Sequence, residues 1–262
     1  MCTLSAWFGV HPRWPLVVAA NRDEVLTRRG TGPVVLNEHP RVVGGRDPQR
    51  GGTWLGATAR GFFVGVTNQR GDVSVVRPKS RGAVVLDALR RDSVAGVEAL
   101  LRELDPDDYS PFNLLFGDAH GLRVGYARPG GPVEVVALEP GLHVLANDVI
   151  GAEDFPRTRR AAERLPPDAL RALDEDSALA ALKSLLADHE PPPPGWKPRD
   201  TVTGFFPAEL YALLQRVCVH APDYGTVSAT VLLLRDGGVD RYLFADGKPC
   251  VTPFADVTAL LA

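Results

Sequence analysis

A cysteine at position 2 and a run of four polar residues at positions 21–24 are the side chains best suited to covalent chemistry. The run, Asn21 to Glu24, follows an apolar segment that begins at Leu16. A cysteine acts as a nucleophile in its thiolate form, and a free thiol is mostly protonated at neutral pH. Chemistry at Cys2 therefore requires a base, and a cation close to the sulfur.

Cys2 can obtain a base from its own backbone. Its small side chain predicts that Met1 is removed by methionine aminopeptidase, which leaves Cys2 as the first residue. A free α-amine has a pKa of about 7.7–8.0, so it can accept the thiol proton directly or through a water. The nucleophile and its base then belong to the same residue.

Two predicted strands bring the polar run back to Cys2. The segments 3–10 and 16–20 are short, apolar and β-prone, and a turn at 11–14 joins them into a hairpin. The end of the second strand then returns to the start of the first. The residues at 21–23 offer a carboxylate for the α-ammonium, a cation for the thiolate and donors for an oxyanion.

Both features also have ordinary structural interpretations. A polar cluster after a strand is commonly a solvated turn in which an Asp side chain bonds its own backbone. A lone cysteine in a soluble protein is more often a small buried hydrophobe than a nucleophile. The position of Cys2 favours chemistry, because a preference for burial gives no reason to place a cysteine at residue 2.

The remaining elements occur in blocks of strands and blocks of helices. Antiparallel hairpins layered with helices fit this order better than a doubly wound parallel sheet, in which strands and helices alternate one for one. We expect a single domain over residues 1–262. Further strands are predicted at 53–57, 62–67, 113–118, 122–127, 133–137, 143–146, 229–234 and 240–245, and helices at 81–91, 93–103, 158–164, 176–188 and 208–215.

The composition argues against several classes of partner. A net charge of −3 gives no general attraction to nucleic acid or to an anionic membrane. The sequence has neither a secretory signal pattern nor an apolar run near the ~18 residues that span a bilayer. We expect a cytoplasmic protein that acts on a small acyl substrate, without nucleic acid or stable membrane insertion. A homodimer is left open.

The cysteines and histidines give no metal signature. Cys2, Cys218 and Cys250 are far apart and form no C-x-x-C pair, which argues against a disulfide framework or a zinc cluster. The six histidines are scattered, and none pairs with another across a glutamate at i, i+4. We expect no metal and no cofactor. The basic residues at 157–160 are expected to form a solvated face, with contact to an acidic ligand as the alternative.

A series of short motifs runs along the chain in order. The motifs are M-C-T-L at 1–4, A-N-R-D-E at 20–24, G-G-T-W-L-G at 51–56, V-T-N at 66–68, S-R-G at 80–82, F-N-L-L at 112–115, H-V-L-A-N at 143–147 and Y-G-T-V-S-A-T at 224–230. They resemble the NRDE family, also called the transport and Golgi organisation family. That family is similar to the N-terminal-nucleophile (Ntn) hydrolases, most closely to the cysteine branch with penicillin V acylase, bile salt hydrolase and acid ceramidase. The resemblance implies an α+β fold: a four-layer αββα sandwich with two antiparallel sheets.

The resemblance also implies a role for each residue near the hairpin. Cys2 matches the nucleophile, and Asp23 matches the carboxylate that holds the α-amine. Arg22 matches the residue that polarises the thiolate, or Asn21 does if the register slips by one. Asn21 is otherwise expected to contact the substrate.

Further site residues are implied from later motifs. Asn68 matches a position that lines the oxyanion hole, and Asn147 matches its side-chain donor. Trp54 is expected to form a pocket wall or part of the core, and Thr67 to contact the substrate. Val227 stands where the family often has an arginine, so a second active-site cation is not assumed.

Two functions follow from these residues and this resemblance. The first is an amidohydrolase or acyltransferase that acts on a small or lipid-like amide or thioester through a Cys2 acyl-enzyme. The alternative is a non-catalytic or weakly catalytic carrier of acyl-CoA, lipid or haem. For haem the chain offers no C-x-x-C-H, so that idea rests on resemblance alone. An extended loop is expected at 190–199, and its residues 191–199 together with the segment 72–77 are expected to set the pocket size.

Overall fold

Two antiparallel sheets with helices on their outer faces make up the architecture. The computed structural model of the chain describes residues 2–69, 77–152, 155–197 and 208–262. In these ranges an apolar core lies between the sheets, and a further apolar cluster lies between each sheet and its helices. The predicted α+β sandwich is confirmed. Met1, most of the 72–77 segment and the end of the 190–199 segment lie outside the described residues.

The elements are numbered in chain order. The strands are β1 (Cys2–Phe8), β2 (Leu16–Val25), β3 (Pro33–Glu38), β4 (Arg41–Gly45), β5 (Leu55–Thr58), β6 (Phe63–Asn68), β7 (Phe112–Gly117), β8 (Leu122–Ala127), β9 (Glu134–Leu138), β10 (Gly141–Leu145), β11 (Tyr224–Arg235), β12 (Gly238–Ala245) and β13 (Ala255–Asp256). The helices are α1 (Arg81–Arg91), α2 (Val94–Glu103), α3 (Pro156–Arg164), α4 (Pro167–Arg171), α5 (Glu175–Leu186) and α6 (Ala208–Leu213).

The first sheet has the order β10-β1-β2-β11-β12-β13 and the second β3-β4-β5-β6-β7-β8-β9 among the described residues. Neighbouring strands are antiparallel throughout both sheets. The predicted hairpin of β1 and β2 lies inside the first sheet, between β10 and β11. Strands β3 and β4 were not predicted, because their proline, glycine and charged residues mask the strand pattern.

Alternation of apolar side chains explains the layers. On β1, Leu4 and Ala6 face the core between the sheets, whereas Trp7 faces the helices. On β2, Val18 faces the core between the sheets and Val17 faces the helices. Since successive strand residues point to opposite faces, a strand that is buried on both sides needs apolar residues throughout. This gives β1 and β2 fixed inner and outer faces up to their polar ends.

Helices α1 and α2 cover the second sheet, and α3 to α5 cover the first. Ser93 is the N-cap of helix α2, because its hydroxyl accepts a hydrogen bond from the Gly96 amide at 3.2 Å. Helix α1 starts against the 51–53 loop, where Gly52 has a φ of +74° and a Cβ would collide with the Gly82 backbone. None of the helices in the described ranges is long and apolar enough to cross a membrane.

Candidate active site around Cys2

The hairpin places Cys2 directly opposite Arg22. The strand register pairs Cys2 with Arg22 and Thr3 with Asn21, which settles the register that the sequence left open. Residues that are opposite each other in an antiparallel pair project from the same face. Because Cys2 shares the parity of Leu4 and Ala6, its face is the one between the two sheets.

A pocket opens on this face at the polar end of the hairpin. The Cys2 side chain is half-buried and forms part of the pocket wall. The lining residues are Cys2, Leu4, Ala20, Asn21, Arg22, Trp54, Leu55, Val66, Ser228 and Thr230. Trp54, expected to form a pocket wall or part of the core, is one of these lining residues, and its contact with a substrate stays a prediction.

Arg22 is held beside the pocket by two neighbours. Its guanidinium lies 4.4 Å above the centroid of the Trp54 ring, and its Nη2 is 3.4 Å from a carboxylate oxygen of Glu24. Glu24 also bonds Arg28 at 2.6 Å, so it is shared between two arginines. A cation that stacks on an aromatic ring keeps a defined position. The arrangement therefore fixes a positive charge at the wall that carries Cys2.

Arg81 brings a second positive charge toward the thiol. It is the first residue of α1 and is half-buried. Burial lowers the pKa of its guanidinium, and the negative charge of a Cys2 thiolate opposes that shift. The S-R-G motif contains Arg81, but sequence reasoning assigned it no role in the site.

Asp23 projects from the opposite face of β2, toward the helices. It is 3% exposed, and its two carboxylate oxygens accept hydrogen bonds from Thr226 Oγ1 at 2.7 Å and from Arg157 Nη1 at 3.3 Å. Burial raises the pKa of Asp23, whereas Arg157 and the Thr226 hydrogen bond oppose that rise. Asp23 follows the partner of Cys2 in the register, so it lies at the end of β1 where the Cys2 nitrogen is found.

Because of a β-bulge at Val227, Thr226 and Ser228 of β11 project to opposite faces of the first sheet. Thr226 pairs with Asp23 and Ser228 pairs with Arg22, so Val227 is an extra residue on β11. In a regular strand, residues two apart share a face; the bulge reverses this alternation. As a result, Ser228 lines the pocket while Thr226 bonds Asp23 on the other side.

The position of Arg157 contradicts the expectation that the basic segment 157–160 forms a solvated face. Arg157 is 1% exposed and donates hydrogen bonds to Asp23, to the side-chain oxygen of Asn147 and to the Leu214 carbonyl. Burial lowers the pKa of its guanidinium, and Asp23 opposes that shift. Arg157 precedes the buried Ala161 by one helical turn, so it lies on the stripe of α3 that packs onto the sheet. Arg159, on the other side of that helix, is exposed as predicted.

Asn147 connects this buried network to the second sheet. Its Nδ2 donates a hydrogen bond to the Asn68 carbonyl at 2.8 Å, so the two predicted oxyanion residues are in contact. Asn113 supports the same loop, because its Nδ2 donates to Thr67 Oγ1 at 3.1 Å and to the Asp148 carbonyl at 3.2 Å. Thr67 is therefore buried behind the loop that carries Asn147, and it is not among the residues that line the pocket.

Asn21 supports the site from the helix side. Its Nδ2 donates to the carbonyls of Leu186 and Val217, both at 2.9 Å. These bonds tie the end of α5 and the segment before β11 to the strand that carries Arg22 and Asp23. The side chain is 1% exposed, which agrees with a positioning contribution.

Comparison with known proteins relates the chain to one family. The family model for Transport and Golgi organisation 2 matches residues 1–243. A Transport and Golgi organization protein 2 homolog from Bos taurus is 28% identical over 259 residues, covering 91% of this chain and 90% of the relative.

Two solved enzymes have the same fold. The C2A mutant of conjugated bile acid hydrolase from Clostridium perfringens superposes with a TM-score of 0.52 and 13% identity, covering 100% of this chain and 94% of that chain. Penicillin V acylase from Agrobacterium tumefaciens superposes with a TM-score of 0.55 and 15% identity, covering 98% and 86% respectively. At these identities the similarity establishes an Ntn-hydrolase fold.

Proposed function

The chain belongs to the Transport and Golgi organisation 2 family, and from the geometry around Cys2 we propose that it is an amidohydrolase or acyltransferase with Cys2 as its nucleophile. The observation that carries the proposal is that neighbouring residues of β2 project to opposite faces of the first sheet. Arg22 shares the pocket face with Cys2, and Asp23 projects from the other face into a buried network with Thr226 and Arg157. This arrangement puts the cation for the thiolate and the carboxylate for the α-amine on opposite faces of the sheet.

The first step is activation of the thiol. Removal of Met1 frees the α-amine of Cys2, and this amine takes the proton from Sγ. Arg22 and Arg81 then stabilise the thiolate by their positive charge. Asp23 holds the resulting α-ammonium by charge attraction at the end of β1.

The second step forms the acyl-enzyme. The thiolate attacks the carbonyl carbon of an amide, and the carbonyl electrons move onto oxygen. Asn147 donates one amide hydrogen to the Asn68 carbonyl, and we propose that its second amide hydrogen is donated to the oxyanion. When the C–N bond breaks, the α-ammonium gives its proton to the departing nitrogen, and a thioester on Cys2 remains.

The third step releases the acyl group. A water molecule attacks the thioester carbon while the α-amine takes a proton from it, and the C–S bond breaks to give a carboxylic acid and the free thiol. If an amine attacks in place of water, the product is a new amide. The same residues thus serve hydrolysis and acyl transfer.

The pocket walls suggest the class of substrate. Leu4, Leu55 and Val66 give an apolar surface next to Cys2, and Arg22 adds a positive charge to the same wall. This combination suits an apolar acyl chain with a polar or anionic group nearby. The names of the two structural neighbours, a hydrolase and an acylase, support acyl chemistry.

Turnover by matched proteins tests this proposal. Wild-type protein and the variants Cys2→Ala and Cys2→Ser are compared on amides and acyl-CoA thioesters of increasing chain length, with circular dichroism as the folding control. We expect turnover by the wild type and none by Cys2→Ala. Cys2→Ser is expected to have no activity or a small residual activity. Turnover by Cys2→Ala at the rate of the wild type would overturn the proposal. Saturable acyl-CoA or haem binding without turnover by the wild type would favour the carrier alternative instead.

A further inference from the structure

Two cysteines and two histidines that are remote along the chain meet beside the first sheet. His189 follows α5, Cys218 and His220 precede β11, and Cys250 lies in the turn between β12 and β13. Each offers one ligand atom, and the four atoms lie within 4.8 Å of one another. We propose that these four residues form a zinc site with two cysteine and two histidine ligands. This proposal replaces the sequence prediction of no metal. The sequence did not indicate the cluster, because most of its residues are far apart along the chain.

The spacing of the donor atoms fits tetrahedral zinc. The two sulfurs are 3.8 Å apart, and His220 Nε2 lies 3.6 Å from Cys218 Sγ and 3.3 Å from Cys250 Sγ. With Zn–S bonds of about 2.3 Å and Zn–N bonds of about 2.0–2.1 Å, a tetrahedron has edges of about 3.8 Å between sulfurs and about 3.5 Å between sulfur and nitrogen. Three donor atoms are already close to these edges.

The histidine rings are oriented by neighbouring groups. His189 Nδ1 lies 3.2 Å from the Cys218 carbonyl, and donation to that oxygen leaves Nε2 free to bind a metal. The rings of His189 and His220 pack edge to face, with centroids 4.6 Å apart. Hydrogen bonding of a ligand histidine to a backbone carbonyl is a recurrent feature of zinc sites.

Burial and charge also favour a metal. Cys218 is fully buried, while His220 and Cys250 are half-buried and give an ion a way in. Zinc would replace the protons of both thiols, so that two thiolates are neutralised by one divalent cation.

The position of the cluster indicates a structural ion. The four residues do not line the pocket at Cys2, and four protein ligands leave no open coordination position. Next to the cluster, the Val219 amide donates to Thr226 Oγ1 at 2.9 Å, and Thr226 in turn bonds Asp23. Zinc would therefore fasten the turn after β12 and the end of α5 to the segment that orients Asp23.

Metal analysis of the full chain tests the proposal. The protein is purified under reducing conditions, exchanged with zinc, desalted and analysed for metal content; a second sample is loaded with cobalt(II). We expect about one zinc ion per chain, and a cobalt spectrum with tetrahedral d–d bands and thiolate charge transfer. Cys250→Ser and His220→Ala are expected to lose most of the bound metal. Cys2→Ala, which removes a thiol elsewhere, is the matched control and should retain it.

The wild-type cobalt spectrum decides the question even if a variant fails to fold. Folded, reduced wild-type protein that leaves desalting without zinc would overturn the proposal. So would a cobalt complex without thiolate charge transfer, or equal zinc content in folded Cys250→Ser and wild type. A Cys218–Cys250 disulfide that forms in preference to metal binding would also overturn it. These outcomes do not depend on the acyl chemistry at Cys2.

Discussion

The substitution Arg157→Met removes the cation beneath Cys2 and Asp23 while keeping most of the side-chain volume. Arg157 is 1% exposed, and its guanidinium bonds Asp23, Asn147 and the Leu214 carbonyl. Removing one partner of a buried ion pair typically costs about 3–5 kcal/mol, because the other charge remains buried without compensation. Since domains are usually stable by about 5–15 kcal/mol, we expect a large loss in the free energy of unfolding.

The cost of Arg157→Met should depend on pH with a defined sign. The pKa of Asp23 is raised above its ordinary value of 3.8, mainly by burial. The stabilising contribution of this titration is complete below the ordinary value and is lost as the pH rises through the raised value in the folded state. Removing Arg157 raises the folded-state pKa further. The penalty is therefore largest at neutral pH and decreases on acidification.

Urea unfolding of wild type and variant across this pH range measures the effect. Arg159→Met is the matched control, because Arg159 lies on the same helix but is exposed. We expect the control to change the free energy of unfolding by less than about 0.5 kcal/mol. A penalty for Arg157→Met below about 1 kcal/mol at neutral pH would refute the reasoning. So would a penalty of several kcal/mol that does not change with pH.

Three further substitutions test other parts of the site. Thr226→Val should lower the free energy of unfolding by about 1.5–3 kcal/mol in urea titrations, because Asp23 loses a charged hydrogen bond; an unchanged midpoint would contradict this. Arg22→Gln should slow iodoacetamide labelling of Cys2 at neutral pH, because the thiolate loses a nearby cation; an equal rate would argue against its role. Asn147→Ala should lower kcat by about 10²–10³-fold with a smaller effect on KM, as for loss of an oxyanion donor; a change in KM alone would contradict that assignment.

The hairpin that carries the site is predictable from local sequence. Its two strands are continuous apolar segments joined by a short turn, and an antiparallel hairpin must return the second strand to the start of the first. This reasoning places residues 21–23 beside Cys2, and the structure adds the register, in which Arg22 is opposite Cys2. Alternation along β2 then separates the side chains of Arg22 and Asp23, because adjacent strand residues point to opposite faces.

The features that were missed depend on tertiary contacts. Arg157 belongs to a strongly basic segment, and its burial follows from the way α3 docks onto the first sheet. The bulge at Val227 inserts one residue into β11, which periodicity alone does not indicate. The cluster of His189, Cys218, His220 and Cys250 forms through chain reversal around β11 and β12, and among its members only Cys218 and His220 are close in sequence.

The state of the N-terminal peptide tests the account most directly. Purified protein is mixed with an amide that it turns over, quenched in acid within the first turnover and digested with pepsin at low pH for mass spectrometry. The low pH keeps the α-amine protonated, so that the acyl group stays on the Cys2 sulfur. We expect a peptide that begins at Cys2 with a free α-amine and carries the acyl group as a hydroxylamine-sensitive thioester. Cys218 and Cys250 in the same digest are the internal control and should remain unmodified. Turnover by protein that retains Met1, or without acylation of Cys2, would contradict the account.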